Sequence, residues 1–423
     1  MAKKFYLLVF GCQMNVSDAE RIAGVLASIG YKKTKKIENS DVIVLVMCSV
    51  RQSAVNRIYG ILPKLQELKK KRKNLKILLT GCLLKGDRKK LERHFDYIFK
   101  IDELPFLPSF LLKNSKKYKR RLSHYLQILP SYQNKISAYV PIMTGCDHFC
   151  SYCVVPYTRG REVARPVKEI ICEIKNLVKK GIKEIWLLGQ NVNNYKDGKV
   201  DFLSLLKKIE KIKGNFWIRF ISSHPMNFNE KLISFLSKSK KVPPYLNLPL
   251  QSGDNKILKL MNRNYTVKEY KMIVQKIREK IPDVAISTDI IVGFPTETKE
   301  EFQNTVNLFK EIKYDMAYIS KYSPRKGTAA FYLKDDVPPE EKKQREKILS
   351  QLLKKIALEK NQNLIGKITT VLIMEKRKDG WLGRNEYYKL VKTHSKKNIL
   401  GRFVKVKINR AHPFLLEGEI INE

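Results

Sequence analysis

Three cysteines within eight residues, Cys146-Asp-His-Phe-Cys150-Ser-Tyr-Cys153, constrain this chain more than any other feature. Their sulfurs can converge only if the segment folds as a tight loop, and clustered thiolates suit zinc or an iron–sulfur cluster. A closed structural zinc site takes four ligands. His148 could be the fourth, but its place inside the same loop makes a shared tetrahedron awkward. Three cysteines on a four-iron cluster instead leave one iron without a protein ligand, open to chemistry. All seven cysteines, Cys172 included, fit a reducing compartment, where clustered thiols act as ligands rather than staples.

A second cysteine pattern is spread out. Phe5–Phe10, Asp41–Val46 and Leu75–Thr80 are short apolar runs of the kind that form buried parallel strands. Helical stretches separate them, and Ser17 followed by Glu20 has the form of a capping box. Strand and helix alternate, which predicts a parallel α/β domain over residues 1–112. Cys12, Cys48 and Cys82 each follow one of these strands, so they share the sheet's C-terminal edge and can meet there. They are read as a second three-ligand cluster site, the alternative being three small buried hydrophobes. Cys172 lies in the amphipathic run Lys168–Lys179 and is expected in the core.

Residues 113–135 open with six basic residues in nine (113–121) and are read as a linker. Residues 136–360 resume the β/α rhythm. Strands are expected at Ala138–Ile142, Glu184–Leu188, Phe216–Ile221, Tyr245–Leu248, Ala285–Val292 and Met316–Lys321. Six such units predict an open or partial (β/α) barrel with functional groups at the C-terminal strand ends. After a charged helix from Pro338 to about Asn363, the last segment, 361–423, predicts a small β-barrel. Its strands are placed at Ile368–Met374, Tyr387–Thr393 and Phe403–Ile408, with Gly383 and Gly401 in turns. That tail holds 13 Lys or Arg against 6 Asp or Glu, and the whole chain carries a net charge of +42. The excess points to a polyanion, most simply nucleic acid, although a Lys-rich bias would give the same sum. No apolar run approaches the roughly 20 residues of a membrane helix. The start has no signal-peptide pattern, and a cytoplasmic location is expected.

The Cys-x-x-x-Cys-x-x-Cys spacing, with Tyr152 before the last cysteine, resembles the radical S-adenosylmethionine superfamily. Gly145 to Gly160, the three early cysteines and the β tail, which resembles a TRAM domain, are together similar to the methylthiotransferases. Gly11-Cys-Gln-Met-Asn15, Cys48-Ser-Val-Arg51 and Leu188-Gly-Gln-Asn-Val192 resemble its MiaB branch, which modifies tRNA carrying N6-isopentenyladenosine beside the anticodon. The family commonly has Asn-Thr before the second cysteine; here Val46-Met47 stand there, two apolar residues expected beside the second cluster.

The resemblance implies two 4Fe-4S clusters. One, on Cys146, Cys150 and Cys153, binds S-adenosylmethionine, which on one-electron reduction yields a radical that takes hydrogen from C2 of the adenine. The other, auxiliary cluster, on Cys12, Cys48 and Cys82, supplies sulfur, and a second S-adenosylmethionine supplies the methyl group. Such a C–H bond lies beyond side-chain acids and bases, so no catalytic side chain is expected. Cofactor-binding is expected of Tyr152, Gln190, Asn191, Ser222, Ser223, Gln251, Ser252 and Gly293. All but Tyr152 stand at strand ends, where ordinary turn chemistry is the alternative. Arg159, Arg161 and Arg165 follow the cluster loop and are read as guides for RNA phosphate, or else as a solvated basic face. Expected partners are a tRNA anticodon stem-loop and a low-potential electron donor such as flavodoxin or ferredoxin, with the chain a monomer. Competing readings are methylthiolation of threonylcarbamoyl-adenosine tRNA or of a ribosomal-protein side chain, an RNA-binding protein with structural clusters, and a zinc-stapled RNA-binding module.

Overall fold

The computed structural model describes residues 2–50, 52–112 and 124–422. Arg51 and the basic run 113–121 lie outside the described residues. The opening apolar runs form a parallel five-stranded sheet. Lys4–Val9, Val42–Cys48 and Lys76–Cys82 fill its centre, with two-residue edges at Lys32–Lys33 and Tyr97–Ile98. Every residue of Val42–Cys48 is buried because each face of the sheet is covered. Val42, Val44 and Val46 pack with Ile22, Ala23 and Leu26 of the helix Gln13–Ser28. Ile43, Leu45 and Met47 pack with Val55, Ile58, Leu62 and Leu65 of the helix Gln52–Lys71. Val46 and Met47 therefore join two cores on opposite faces of the sheet.

The first helix starts earlier than its Ser-x-x-Glu pattern implies. Its N-cap is Cys12, and Ser17 is a buried interior residue whose Oγ accepts from Arg21 Nη1 at 2.7 Å. The chain turns from strand to helix through Gly11, whose φ is +139° and where a Cβ would lie 2.6 Å from the Cys48 Cβ. That tight turn fixes the helix start and leaves no room for a later cap.

Six parallel strands follow in chain order, Ser137–Pro141, Glu184–Leu188, Trp217–Phe220, Tyr245–Asn247, Ala285–Val292 and Met316–Lys321. They pair in two groups of three, bridged by the Ile218 N–H to the Lys241 carbonyl at 2.7 Å. Alternate residues such as Ile185 and Leu187 join the core under the outer helices, while Trp186 and Leu188 face the inner side. This is a partial (β/α) barrel. Helix Val167–Lys179 buries Ile170, Glu173, Ile174 and Leu177; Cys172 falls off that stripe and is exposed, not in the core as expected.

After the helix Pro339–Gln362, five strands close a barrel in the order Ile368–Arg377, Gly380–Asn385, Leu390–Thr393, Leu416–Asn422, Phe403–Ala411. Gly383 lies inside a strand rather than a turn, because a Cβ there would meet the Leu372 carbonyl oxygen at 2.4 Å. Tyr387 and Tyr388 precede the strand Leu390–Thr393 instead of belonging to it. Among the described residues no helix is long and apolar enough to cross a membrane.

The first helix also docks the opening sheet on the barrel. Arg21 pairs with Glu173 at 3.7 Å, and Glu173 pairs with Arg165 at 2.5 Å. Beside them burial raises the Glu20 carboxyl to about 7, against the Gln133 backbone N–H and Arg21, which lower it. The folded chain therefore binds this proton more tightly than the unfolded one, so Glu20's contribution to stability falls as pH rises from about 4.5 to about 7. Glu20→Gln should remove that slope; urea unfolding of wild type and variant across this window, giving parallel curves, would contradict the assignment.

Candidate active site

Both cysteine triplets open onto one cavity of about 660 Å³, which all six line. Cys48 and Cys82 end neighbouring strands and are register partners, and Cys12 stands at the helix N-terminus one turn beyond the third strand end. Their loops meet because parallel strands end on one edge. Asn15 braces that edge, donating from Nδ2 to the Phe10 carbonyl at 2.9 Å and to the Met47 carbonyl at 3.0 Å.

The other triplet lies in a loop pinned from three sides. The Cys146 N–H reaches the Gly160 carbonyl at 3.2 Å, and Ser151 Oγ donates to the Leu260 carbonyl at 2.7 Å. Asn262 Nδ2 donates to the carbonyls of His148 and Phe149 at 3.2 and 3.0 Å. Gly145, at φ +79°, admits the close pass of the Arg161 carbonyl, which a Cβ would meet at 1.9 Å. Each triplet has one buried guanidinium beside one sulfur: Arg159 Nε at 3.0 Å from Cys82 Sγ, and Arg263 Nη1 at 3.6 Å from Cys150 Sγ.

Burial pushes Cys82 and Cys153 up to about 12 and Cys146 to about 11. Such thiols ionise only with a strong positive partner, which iron provides and water does not. Among the described residues no three His, Cys, Asp or Glu side chains are grouped as a single metal ion needs. The six cysteines stand around one chamber, and thiolate triplets of this kind suit an iron–sulfur cluster.

Gln190, Asn191, Ser222, Ser223 and Gln251 line the chamber with Tyr152, as the strand-end reading expected. Ser222 and Gln251 hold φ of +61° and +76°, left-handed values that non-glycine residues adopt at a cost and that cluster at functional sites. Ser252 and Gly293 stand outside the lining. Ser252 is fully buried and accepts the Asp254 N–H at 3.3 Å; the Gly293 N–H reaches Glu297 at 2.6 Å, and a Cβ there would strike Lys342.

The three arginines separate. Arg161 is exposed, pairs with Asp147 at 2.9 Å and lies over the Phe149 ring. Arg165 is buried between Glu169 and Glu173. The Arg159 side chain is 1% exposed and binds Asp18 at 2.6 Å, Asn15 at 3.1 Å and the Tyr125 hydroxyl at 3.2 Å. Carboxylates within the protein pair with these last two, and Arg159 also lines the chamber.

The sequence reading passed over several lining residues. His148 and His224 stack with centroids 4.3 Å apart, and burial, helped by Arg263, pushes His224 down to about 3, so the pair is neutral. Arg263, Trp186, Tyr245, Asn247 and Tyr388 also line the chamber. Strand alternation could have placed Trp186 and Tyr245 inside; nothing local marks Arg263 or Tyr388.

Residues 4–100 match an uncharacterized protein family, UPF0004, residues 140–309 the radical SAM superfamily, and residues 362–421 the TRAM domain. Among solved structures, the radical S-adenosylmethionine methyltransferase TsrM of Kitasatospora setae shares the fold, with a TM-score of 0.55 at 13% identity over 75% of this chain and 73% of that one. At that identity the likeness concerns the fold alone. Proteins named tRNA-2-methylthio-N(6)-dimethylallyladenosine synthase from Carboxydothermus hydrogenoformans and Dictyoglomus thermophilum are each 41% identical, over 99% of this chain and 99% of theirs. The chain belongs to this family of radical SAM synthases.

Arg159→Met should leave Asp18 as an unpaired buried charge and cost about 3–5 kcal/mol, of which Asp18→Asn in the same chain should restore a large part. Urea unfolding of the two variants tests it, and equal losses would deny the pair.

Proposed function

We propose that this chain converts N6-isopentenyladenosine, 3′ to the anticodon of tRNA, into its 2-methylthio derivative. Two cysteine triplets facing one chamber, in a chain alike end to end to the named synthases, carry the reading. Cys146, Cys150 and Cys153 hold the 4Fe-4S cluster that binds S-adenosylmethionine. Cys12, Cys48 and Cys82 hold a second, auxiliary cluster. When bound, these groups supply the one-electron cleavage, the sulfur and the methyl group that a C–H bond at adenine C2 requires.

The protein's own part is to bind, orient and exclude water. Arg263 and Arg159 each set a guanidinium against one thiolate, the kind of neighbour that tunes a cluster's potential. The polar strand ends Gln190, Asn191, Ser222, Ser223 and Gln251, with Tyr152, bind the cofactor's polar groups. Arg161 and the basic tail barrel take phosphates of the anticodon stem-loop, whose unpaired base can be extruded at a cost of about a few kcal/mol. Flavodoxin or ferredoxin supplies electrons to a monomeric enzyme in the cytoplasm. Neither the threonylcarbamoyl nor the ribosomal-protein reading has an observation in its favour.

Anaerobic reconstitution with tRNA, dithionite and S-adenosylmethionine, followed by nucleoside mass spectrometry, should yield methylthio-adenosine. Cys146→Ala should abolish 5′-deoxyadenosine release. Cys48→Ala should retain that release, lose sulfur insertion and bind about half the iron and sulfide. Sulfur insertion surviving in Cys48→Ala would remove the early triplet as donor.

A further inference from the structure

The turn of the tail barrel between Gly380–Asn385 and Leu390–Thr393 does not face solvent as an RNA-gripping loop would. It packs against the partial barrel where Glu184 and Tyr245 begin their strands and Asp315 precedes the last one. Arg219, 2% exposed, holds it there, donating from Nη2 to the Asn385 carbonyl at 2.9 Å and from Nη1 to the Glu386 carbonyl at 3.2 Å. Arg219 is itself fixed by Glu184 at 2.7 Å, and Lys389 pairs with Asp315 at 2.8 Å on the other flank. Arg384 Nη1 takes the Tyr388 carbonyl at 2.9 Å. Thus held, Tyr388 keeps φ of +62°, a left-handed value unfavourable for a bulky side chain unless its surroundings enforce it.

The enforced position puts the Tyr388 ring on the chamber wall. Its centroid is 5.0 Å from Trp186, near edge-on, and 4.8 Å from Tyr245. The ring packs on the same apolar cluster as Cys12, with Met14, Trp186, Leu188 and Tyr245 as its centre and Ile221 beside it. Elsewhere the lining includes the polar group Gln190, Asn191, Ser222, Ser223, Asn247 and Gln251, which suits a charged cofactor. Arg219 lies 5.0 Å from the Tyr388 ring centroid and 5.9 Å from those of Trp186 and Tyr245, and Arg384 lies 4.1 Å from that of Tyr388, so guanidinium covers part of these rings. The ring surface that lines the chamber is carbon, which suits a bulky hydrocarbon group.

Resting on the function proposed above, we infer that Tyr388, Trp186 and Tyr245 form the pocket for the N6-dimethylallyl substituent, so that the tail barrel reads the modification already on the base. The branched alkene meets ring faces and buries its methyl groups, while an unmodified amino group would leave that pocket empty. An RNA lacking the substituent is therefore disfavoured by the loss of that burial.

The test compares two anticodon stem-loop RNAs, identical except that one carries N6-dimethylallyladenosine 3′ to the anticodon and the other adenosine. Dissociation constants are read by fluorescence anisotropy with the full, anaerobically reconstituted chain. Wild type should prefer the prenylated RNA. Tyr388→Asn, which accepts the left-handed φ but removes the ring, should weaken prenylated RNA about tenfold and leave the unmodified RNA unchanged. Tyr388→Phe should keep the preference, since the ring face and not the hydroxyl makes the contact. Full preference surviving in Tyr388→Asn overturns the pocket, as does an equal loss for both RNAs, which would mark a general role in seating the tail. Nucleoside mass spectrometry on wild type separates the two levels. Absence of methylthio product sinks the function reading; product formation with an unchanged preference in Tyr388→Asn sinks only the assignment of Tyr388.

Discussion

The buried pair of Arg159 and Asp18 is the joint on which the chamber depends. Arg159 ends the short helix Val155–Arg159 directly after the cysteine loop, and Asp18 sits on the first helix, whose N-terminus carries Cys12. One guanidinium thus touches both units and, through Nε, the Cys82 sulfur. In a buried setting each partner exacts a large desolvation cost unless the other is in place, so the pair fixes the relative position of the two triplets more firmly than apolar contact would. Asn15 and Tyr125 complete the arginine's hydrogen bonding, and Asn15 at the same time braces the backbone beside Cys48.

Packing behind that joint turns two open sheets into one container. The opening sheet and the partial barrel each present their C-terminal strand ends, the edge at which parallel sheets leave loops free for binding. The first helix docks through Arg21, Glu173 and Arg165, well away from the sulfurs, and Ser17 Oγ reaches the Tyr139 carbonyl at 3.5 Å. On the far side the tail barrel contributes its turn through Arg219 and Lys389. Three structural units therefore wall one space, and a change in how any one of them docks alters the chamber as directly as a change in its lining.

The chamber's chemistry divides along the same lines. Buried, neutral surroundings such as the His148–His224 stack strengthen the interaction of any charge brought inside. The two guanidiniums set beside single sulfurs, Arg159 on one triplet and Arg263 on the other, give each site one positive neighbour without closing its open face. Val46 and Met47, which depart from the polar pair common in the family, fall in the cores on opposite faces of the sheet. Asn15 and Arg159 contact the Cys82 sulfur.

The sequence by itself determined the two cysteine triplets that line the chamber, the two parallel α/β units and the basic β tail, because each rests on local pattern: cysteine spacing, apolar period and turn residues. It misplaced features that depend on neighbours distant in the chain. Ser17 looked like a cap but is interior; Cys172 looked apolar enough for the core but faces outward; Arg159 and Arg165 looked like a basic face but are claimed by Asp18, Glu169 and Glu173. Only the tertiary structure decided that Arg159 guards a sulfur more than 70 positions away, and that a tyrosine from the tail lines the chamber. A side chain's partners across the fold are fixed by how whole units dock, and the periodicities of strand and helix do not record that.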